Sequence, residues 1–241
     1  MNDPAPDPTL DLQTLRLDTA LQLLEQAGVR MPDTDRASAA WMQALIDFLC
    51  DLSSRDALTG LANRRSVEVA LLREIDRVAR AGEPALLLLV DIDHFKQVND
   101  TWGHATGDLV LKAVAASLQD SVRPMDTVAR YGGEEFAIIL PNCPPAFGDA
   151  VAERIRRRVA DRAVEVYARS EIRVSVSIGG AFAPQWVRSS ATLWSERADL
   201  QLYRAKAQGR NRVCIEPTAV SLVTAEEKSL LFGTSQFQEF E

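Results

Sequence analysis

Four acidic residues in two short segments could bind a metal ion or move a proton. Asp91 and Asp93 follow the apolar run 86–90, and Glu134 and Glu135 follow two glycines about forty residues later. Residues two apart on a strand share a face, whereas adjacent residues point to opposite faces. Asp91 and Asp93 therefore share a face, and only one of the two glutamates can reach a given site. Buried carboxylates are costly without a partner, and Mg²⁺ commonly uses one or two carboxylates plus substrate phosphates. The pattern indicates a hard-cation site.

A buried strand and a β-hairpin must position these acids. The continuous apolar run 86–90 follows a Gly-Glu-Pro turn, which is typical of a central strand. The runs 126–130 and 136–140 flank Gly132 and Gly133, which predicts a tight hairpin with both glycines at positive φ. The alternatives are a solvent-exposed hairpin for the glutamates and a helix-capping role, which suits Asp93 better than Asp91.

Five segments, in this order along the chain, resemble the motifs of the GGDEF family of diguanylate cyclases. They are residues 56–65, 86–100, 99–108, 130–136 and 203–212. The resemblance extends from about residue 53 to residue 216, and the signature reads Gly-Gly-Glu-Glu-Phe, a variant with Glu135 where Asp is also common. The resemblance implies a division of the chain into an N-terminal helical segment (1–52), the GGDEF domain (53–216) and a C-terminal tail (217–241).

The periodicity between residues 56 and 216 alternates between helix and strand. Helices are predicted at 63–81, 94–101, 105–121, 145–160 and 191–208. Strands are predicted at 85–92, in the hairpin 126–140, within 163–182 and at 212–216. This arrangement fits an α+β, ferredoxin-like sandwich. The resemblance implies the same nucleotidyl-cyclase (palm-like) fold, with a mainly antiparallel central sheet preceded by N-terminal helices.

The resemblance implies that two GTP molecules condense to cyclic di-GMP with release of two pyrophosphates. Since one domain holds one GTP, two domains must face each other as a two-fold homodimer. Two Mg²⁺ ions per active site, or Mn²⁺ in their place, would bind Asp91, Glu134 and the Ile92 carbonyl. Glu134 and Glu135 are the candidate catalytic acids. The group that takes the proton from the 3′-hydroxyl stays open between these two and a bound water.

Phosphate recognition is implied at two places. The backbone amides around His94 and Phe95, at the start of a short helix, would receive phosphate oxygens. Basic side chains would neutralise the β- and γ-phosphates: Lys96, Lys206 and Arg210. Lys206 and Arg210 are four residues apart and share a helix face if the helix continues past Gly209. Without the resemblance, a solvated basic helix end would be the better interpretation of this pair.

Base recognition would depend on Asn99 and Asp108. A carboxylate accepts hydrogen bonds from both N1–H and N2–H of guanine, whereas adenine presents a lone pair at N1. Asp108 therefore favours GTP over ATP or a mixed substrate. Read in isolation, both residues are typical of turns and helix caps.

A second nucleotide site is implied by Arg123 and Asp126. They match the family's RxxD inhibitory motif, where the arginine and the aspartate bind cyclic di-GMP, and Arg154 aligns with a supporting arginine. The sequence therefore predicts product feedback. The alternative is an ordinary surface ion pair between residues three apart.

Two other functions compete with an active cyclase. One is a catalytically inactive GGDEF domain that acts as a cyclic di-GMP receptor; such domains typically lose a signature acid or a phosphate-binding base, and here all of them are present. The other is a cyclase with a mixed or adenine-containing product, which Asp108 disfavours.

Two amphipathic helices are predicted before the domain, at about 9–27 and 35–54. Trp41, Leu45, Phe48 and Leu52 follow 4-3-4 spacing, typical of a short coiled-coil seam. The seam could pack on its own domain, form a dimerisation stalk or dock a regulatory protein, and the two helices could form an antiparallel hairpin. The motif at 56–65 is expected to couple them to the domain. Residues 1–8 are expected to be disordered, and 217–241 to be a mobile tail or a short docked helix.

Composition excludes several classes of function. The 241-residue chain carries a net charge of −7, so nothing favours nucleic-acid binding. The three cysteines form no paired motif and are typical of reduced thiols in a cytoplasmic protein. No apolar run approaches the ~20 residues of a membrane span. We therefore expect a cytoplasmic protein without a nucleic-acid or membrane partner.

Overall fold

A computed structural model describes residues 15–36, 38–166, 170–184 and 189–217. The expected disorder at 1–8 lies outside the described residues, and so does the expected mobile or docked tail (217–241) except for residue 217. The helices are α1 (Asp18–Gln26), α2 (Ala39–Ser54), α3 (Arg64–Ala81), α4 (Phe95–Trp102), α5 (His104–Gln119), α6 (Pro145–Asp161) and α7 (Ala191–Ala207). The strands are β1 (Leu86–Ile92), β2 (Thr127–Arg130), β3 (Glu135–Leu140), β4 (Val164–Val166), β5 (Ser170–Ile172), β6 (Val176–Phe182) and β7 (Val213–Ile215).

The central sheet has five strands in the order β2-β3-β1-β6-β7. Neighbouring strands are antiparallel except for the parallel pair β6–β7, and β4 and β5 form a separate two-stranded sheet. This confirms the predicted α+β fold with a mainly antiparallel sheet. Because β1 pairs on both sides, Asp91 lies opposite Glu135 of β3 and Ser177 of β6. The sheet therefore brings the two acidic segments to the same edge.

Both faces of the sheet are covered by helices, which explains why β1 reads as an uninterrupted apolar run. Leu86, Leu88 and Val90 pack with α5 and α6 on one face. Leu87 packs with α3 and α7 on the other. The alternation along β1 turns Asp91 toward the same face as Leu87, which is the face covered by α7. Among the described helices, none is long and apolar enough to cross a membrane.

The backbone of α7 rests directly on β6 at Gly179. A Cβ atom added there would lie 2.0 Å from the Leu202 nitrogen and 2.4 Å from the Ala198 carbonyl oxygen, so an alanine must push α7 away from the sheet. We expect Gly179→Ala to lower the free energy of unfolding by about 3 kcal/mol, measured by urea unfolding. Gly133→Ala is the matched control, because a Cβ there meets nothing within 4 Å. Equal stability of the two variants would contradict this account of the α7–β6 contact.

The two N-terminal helices pack against each other. Leu24 of α1 is buried with Trp41 and Leu45 of α2, and Phe48 packs at the margin of this cluster. Leu52, the last residue of the predicted seam, is 39% exposed. Most of the apolar stripe on α2 is therefore covered by α1. The roles of these helices as a stalk or as a docking surface stay predictions.

Candidate active site

The turn that carries the two glutamates is longer than the sequence predicts. Residues 131–134 separate β2 from β3, and the Tyr131 and Gly132 amides both donate to the Glu135 carbonyl, at 2.8 and 3.1 Å. Neither Gly132 nor Gly133 has positive φ, so the prediction of a two-residue turn with left-handed glycines is wrong. A loop of this length can reverse the chain without left-handed residues, which only the shortest hairpins require.

Asp91 is buried at the end of β1 beside a lysine. Its carboxylate lies 2.8 Å from the Nζ of Lys206, which extends from α7. Burial raises the pKa of Asp91 because it disfavours the charged form; the charge of Asp93 acts in the same direction, whereas Lys206 and Arg210 oppose the rise. The predicted metal ligand and one predicted phosphate ligand are thus in contact.

Glu134 lies close to Asp91 and Lys206, whereas Glu135 is not buried beside them. The Ile92 amide donates to the Glu134 carbonyl at 3.3 Å, which joins the turn to the end of β1. Burial raises the pKa of the half-buried Glu134, and the charge of Asp91 raises it further. Glu135 is exposed at the first position of β3. The difference agrees with the expectation that only one of the two glutamates faces the site.

Asp93 is fully engaged by hydrogen bonds inside the protein. Its carboxylate accepts from Ser175 Oγ and Ser177 Oγ, both at 2.6 Å, and from the Asn211 amide at 3.0 Å. The cap position of α4 is His94, which has no side-chain capping bond. The alternative of a helix-capping Asp93 is therefore wrong, because its carboxylate is turned toward β6 and the loop after α7.

The predicted phosphate-binding segments adopt unusual backbone conformations. Helix α4 begins at Phe95 as expected, after His94 with a left-handed φ of 57°, and Lys96 is exposed in its first turn. Helix α7 ends at Ala207, so the condition under which Lys206 and Arg210 would share a helix face is not met. Gly209, with φ of 113°, turns the chain out of the helix. Arg210 nevertheless remains close enough for its charge to lower the pKa of Asp91.

The two predicted guanine ligands lie on adjacent helices, Asn99 on α4 and Asp108 on α5. A Cβ added to Gly107 would lie 2.0 Å from the Asn99 Oδ1 atom, so the glycine leaves space for that side chain next to Asp108. Asp108 itself is exposed and available to a ligand.

The three residues of the predicted product site line one cavity of about 420 Å³. Arg123 and Asp126 form an ion pair with 3.2 Å between NH2 and Oδ1, and Arg154 of α6 donates to the Ser121 carbonyl. The Phe147 side chain, 61% exposed, forms part of the wall.

A network that the sequence did not reveal joins the entry segment to the glutamate turn. Arg130 donates to both carboxylate oxygens of Asp56, at 3.3 Å, and to the Gly133 carbonyl, at 3.1 and 2.7 Å. Asn63 caps α3 through the Ser66 amide and donates to the Ser53 carbonyl at the end of α2. The N-terminal helices and the turn are therefore connected through a few hydrogen bonds. Asp56 and Asn63 were expected to couple these parts, but Arg130 was not.

Two carboxylates, Asp91 and Glu134, are the acidic candidates for holding a cation at this site. Within the described ranges no three His, Cys, Asp or Glu side chains converge. Asp91 and Glu134 are close enough for the charge of Asp91 to raise the pKa of Glu134. Two such carboxylates fit Mg²⁺, which usually takes its remaining oxygens from water and substrate phosphates.

Comparison with known proteins agrees with this arrangement. The family described as "Diguanylate cyclase, GGDEF domain" matches residues 53–212. The response regulator PleD of Caulobacter vibrioides is 42% identical over 170 residues, which is 70% of this chain and 37% of PleD. The diguanylate cyclase DosC of Escherichia coli is 42% identical over 161 residues, which is 66% of this chain and 34% of DosC. The chain thus spans little more than a third of the length of these relatives.

Solved structures with the same fold include two with bound partners. The GGDEF domain of DgcB from Caulobacter crescentus, in complex with c-di-GMP, is 38% identical with a TM-score of 0.65, covering 68% of this chain and 95% of that one. The diguanylate cyclase SiaD from Pseudomonas aeruginosa, in complex with its activator SiaC, is 34% identical with a TM-score of 0.66. The match covers 82% of this chain and 74% of the SiaD chain. Because the family model matches residues 53–212, about two thirds of the chain, the chain belongs to the GGDEF-domain family of diguanylate cyclases.

Proposed function

We propose that this protein is a diguanylate cyclase, which condenses two GTP molecules into cyclic di-GMP and two pyrophosphates. The meeting of Asp91, Glu134 and Lys206 at the end of β1 carries the proposal, with 2.8 Å between Lys206 Nζ and Asp91. Two carboxylates beside a cation suit the transfer of a nucleotidyl group, in which catalysis is largely positioning and charge neutralisation.

Each group in the site has a distinct role in this proposal. Asp91, Glu134 and the Ile92 carbonyl would hold Mg²⁺ or Mn²⁺, which when bound makes the 3′-hydroxyl more acidic and neutralises the triphosphate. Lys206 is held by Asp91 in the free protein and would exchange that partner for a phosphate oxygen when GTP binds. Basic and amide groups would complete the phosphate site: Lys96, Arg210 and the amides at His94 and Phe95.

Two copies of the domain must face each other, because each 3′-oxygen attacks the α-phosphorus held by the other copy. A two-fold axis makes both attacks equivalent. The active form is therefore a homodimer, and the rate per protein should rise with protein concentration.

The decisive experiment is incubation of product-stripped protein with GTP and Mg²⁺ at several protein concentrations, with the nucleotides separated by chromatography. Cyclic di-GMP, formed faster per protein at higher concentration, would support the cyclase and its dimer. The competing function is an inactive cyclic di-GMP receptor. If a fused N-terminal leucine zipper still yields no product, while the protein binds cyclic di-GMP, the receptor is the correct interpretation.

Product feedback belongs to the same proposal, since the similar domain of DgcB was solved with c-di-GMP. We expect Arg123→Ala to abolish inhibition by micromolar cyclic di-GMP and to leave the uninhibited rate within about twofold, because Arg123 forms no part of the acidic site and supplies the bidentate donors. Initial rates with and without added product measure this. Arg158→Ala is the matched control, because Arg158 is 49% exposed and Arg123 is 50% exposed. Unchanged inhibition in Arg123→Ala would reject the product site.

The N-terminal helices are proposed as the regulatory segment, because SiaD, which aligns with 82% of this chain, was solved with its activator. A regulatory protein bound to α1 and α2 would hold two copies in register. We expect removal of residues 1–50 to lower the rate at least about tenfold at submicromolar protein, by weakening dimerisation, and an added zipper to restore it. Full activity of the truncated protein at every concentration would contradict a role for these helices.

A further inference from the structure

Asp93 connects the two loops that would surround the triphosphate. Among the described residues, four that are not glycine have positive φ: His94, Asn142, Arg210 and Asn211. Two of these four adjoin Asp93, since His94 follows it in the chain and Asn211 donates its amide to the Asp93 carboxylate, and a third, Arg210, precedes Asn211. Left-handed backbone in such residues persists only where the surroundings hold it, and it concentrates at ligand-binding sites.

The Asp93 carboxylate is buried, with 6% of the residue exposed. Its Oδ1 accepts from Ser177, and its Oδ2 accepts from Ser175 and from the Asn211 amide. Both oxygens are thus taken by donors from β6, the residues before it and the loop after α7. By accepting these hydrogen bonds, the Asp93 carboxylate joins the start of β6 to the loop after α7. Asp91, in contrast, faces Lys206.

The loop after α7 is held on both sides of Arg210. The Arg210 amide donates to the Ala205 carbonyl at 3.1 Å. On the other side, the Asn211 amide is fixed by Asp93, and Arg156 of α6 donates to the Asn211 side chain at 2.6 Å. Asparagine tolerates left-handed backbone better than most residues, whereas Arg210, with φ of 62°, must be held there. The direction in which the Arg210 side chain leaves the loop therefore depends on Asp93.

We propose that Asp93 is a positioning residue: it fixes the strained Arg210–Asn211 turn so that Arg210 meets the γ-phosphate, and this lets the site distinguish GTP from GDP. The inference rests on the proposed function, because it takes Arg210 as a phosphate ligand. A guanidinium recognises phosphate through donors in a fixed fork. A small rotation of the turn would point the Arg210 guanidinium away from the γ-phosphate. The guanine contacts at Asn99 and Asp108 would not change.

Binding of 3′-deoxy-GTP and 3′-deoxy-GDP with Mg²⁺, measured by calorimetry, tests this without turnover, since neither nucleotide has the attacking hydroxyl. We expect Asp93→Ala and Arg210→Ala each to reduce the preference for the triphosphate about tenfold, the effect of one charge-assisted contact. The double variant should lose no more than Arg210→Ala alone. Asp93→Asn should retain most of the preference, because its remaining oxygen can still accept from the Asn211 amide.

Two substitutions at exposed Asn211 decide the question if Asp93→Ala does not fold. Asn211→Gly keeps the amide and the left-handed backbone and should keep the preference within about threefold, whereas Asn211→Val disfavours that backbone and should lose it. An unchanged preference in Asp93→Ala or Asn211→Val, or no preference in the unmodified protein, would overturn the inference. A protein that shows these effects but makes no cyclic di-GMP from GTP, even with the fused N-terminal zipper, would instead refute the cyclase and leave the positioning role standing.

Discussion

Replacing Asp91 by Asn should lower kcat/KM for GTP at least about a thousandfold, the usual scale for removing a group that stabilises charge in the transition state. Asparagine has nearly the same shape but carries no negative charge, so it would hold a divalent cation poorly. Steady-state rates of cyclic di-GMP formation measure the effect. Asp100→Asn is the matched control, since Asp100 is an exposed aspartate on α4.

The same substitution should not destabilise the fold at neutral pH. Burial raises the pKa of Asp91, so the folded protein holds the proton more tightly than the unfolded chain does. When folding raises the pKa of an acid, ionisation of that acid lowers the free energy of unfolding at pH values above the folded pKa. This loss of stability disappears as the pH falls through the folded pKa. Asparagine does not ionise, so it causes no such loss of stability. Lys206, which loses its partner, is 34% exposed and can be hydrated.

Thermal unfolding without metal or nucleotide tests whether Asp91→Asn stabilises or destabilises the fold. The Asp91→Asn variant should melt at or above the temperature of the unmodified protein at pH 7, and the difference should shrink toward pH 4. A variant that melts several degrees lower at pH 7 would show that Asp91 and Lys206 mainly stabilise the fold. Retention of more than about a tenth of the activity would remove Asp91 from the catalytic site.

Local patterns were sufficient to predict the elements of the domain, whereas the meeting of the two acidic segments was expected from the family resemblance. The apolar run in β1 requires burial on both faces, and the two glycines with flanking apolar runs mark the β2–β3 hairpin. Helix α7 was predicted at 191–208 and is observed at Ala191–Ala207. These features depend on residues close in sequence, where periodicity and turn residues carry the information.

The contacts that complete the site could not be predicted in this way. The Asp93 carboxylate binds Ser175, Ser177 and Asn211, which are 82, 84 and 118 residues away. Arg130 and Asp56 are 74 residues apart. No local pattern encodes such pairs, because they depend on how strands and loops are placed by the whole fold. The left-handed conformation of Arg210 was missed for the same reason, since only its tertiary contacts hold an arginine there.

The effect of a change at Asp108 should depend on the base of the nucleotide. We expect Asp108→Asn to lower kcat/KM for GTP about a hundredfold, because the amide presents an N–H where guanine presents donors at N1 and N2. Rates with GTP and with ITP, which lacks the 2-amino group, measure this. The unmodified protein should prefer GTP, and the variant should lose most of that preference.

The comparison between the two nucleotides separates base recognition from a general loss of activity. Damage to the fold or to the phosphate site would slow GTP and ITP equally, whereas loss of the contacts to N1–H and N2–H slows GTP more than ITP, which keeps N1–H but has no 2-amino group. Asp108 is exposed in the free protein, so its substitution leaves no buried group unpaired. Asp100→Asn again serves as the control and should keep the full preference. If Asp108→Asn also keeps it, the guanine edge is recognised elsewhere, and Asn99, packed against Gly107, becomes the residue to test.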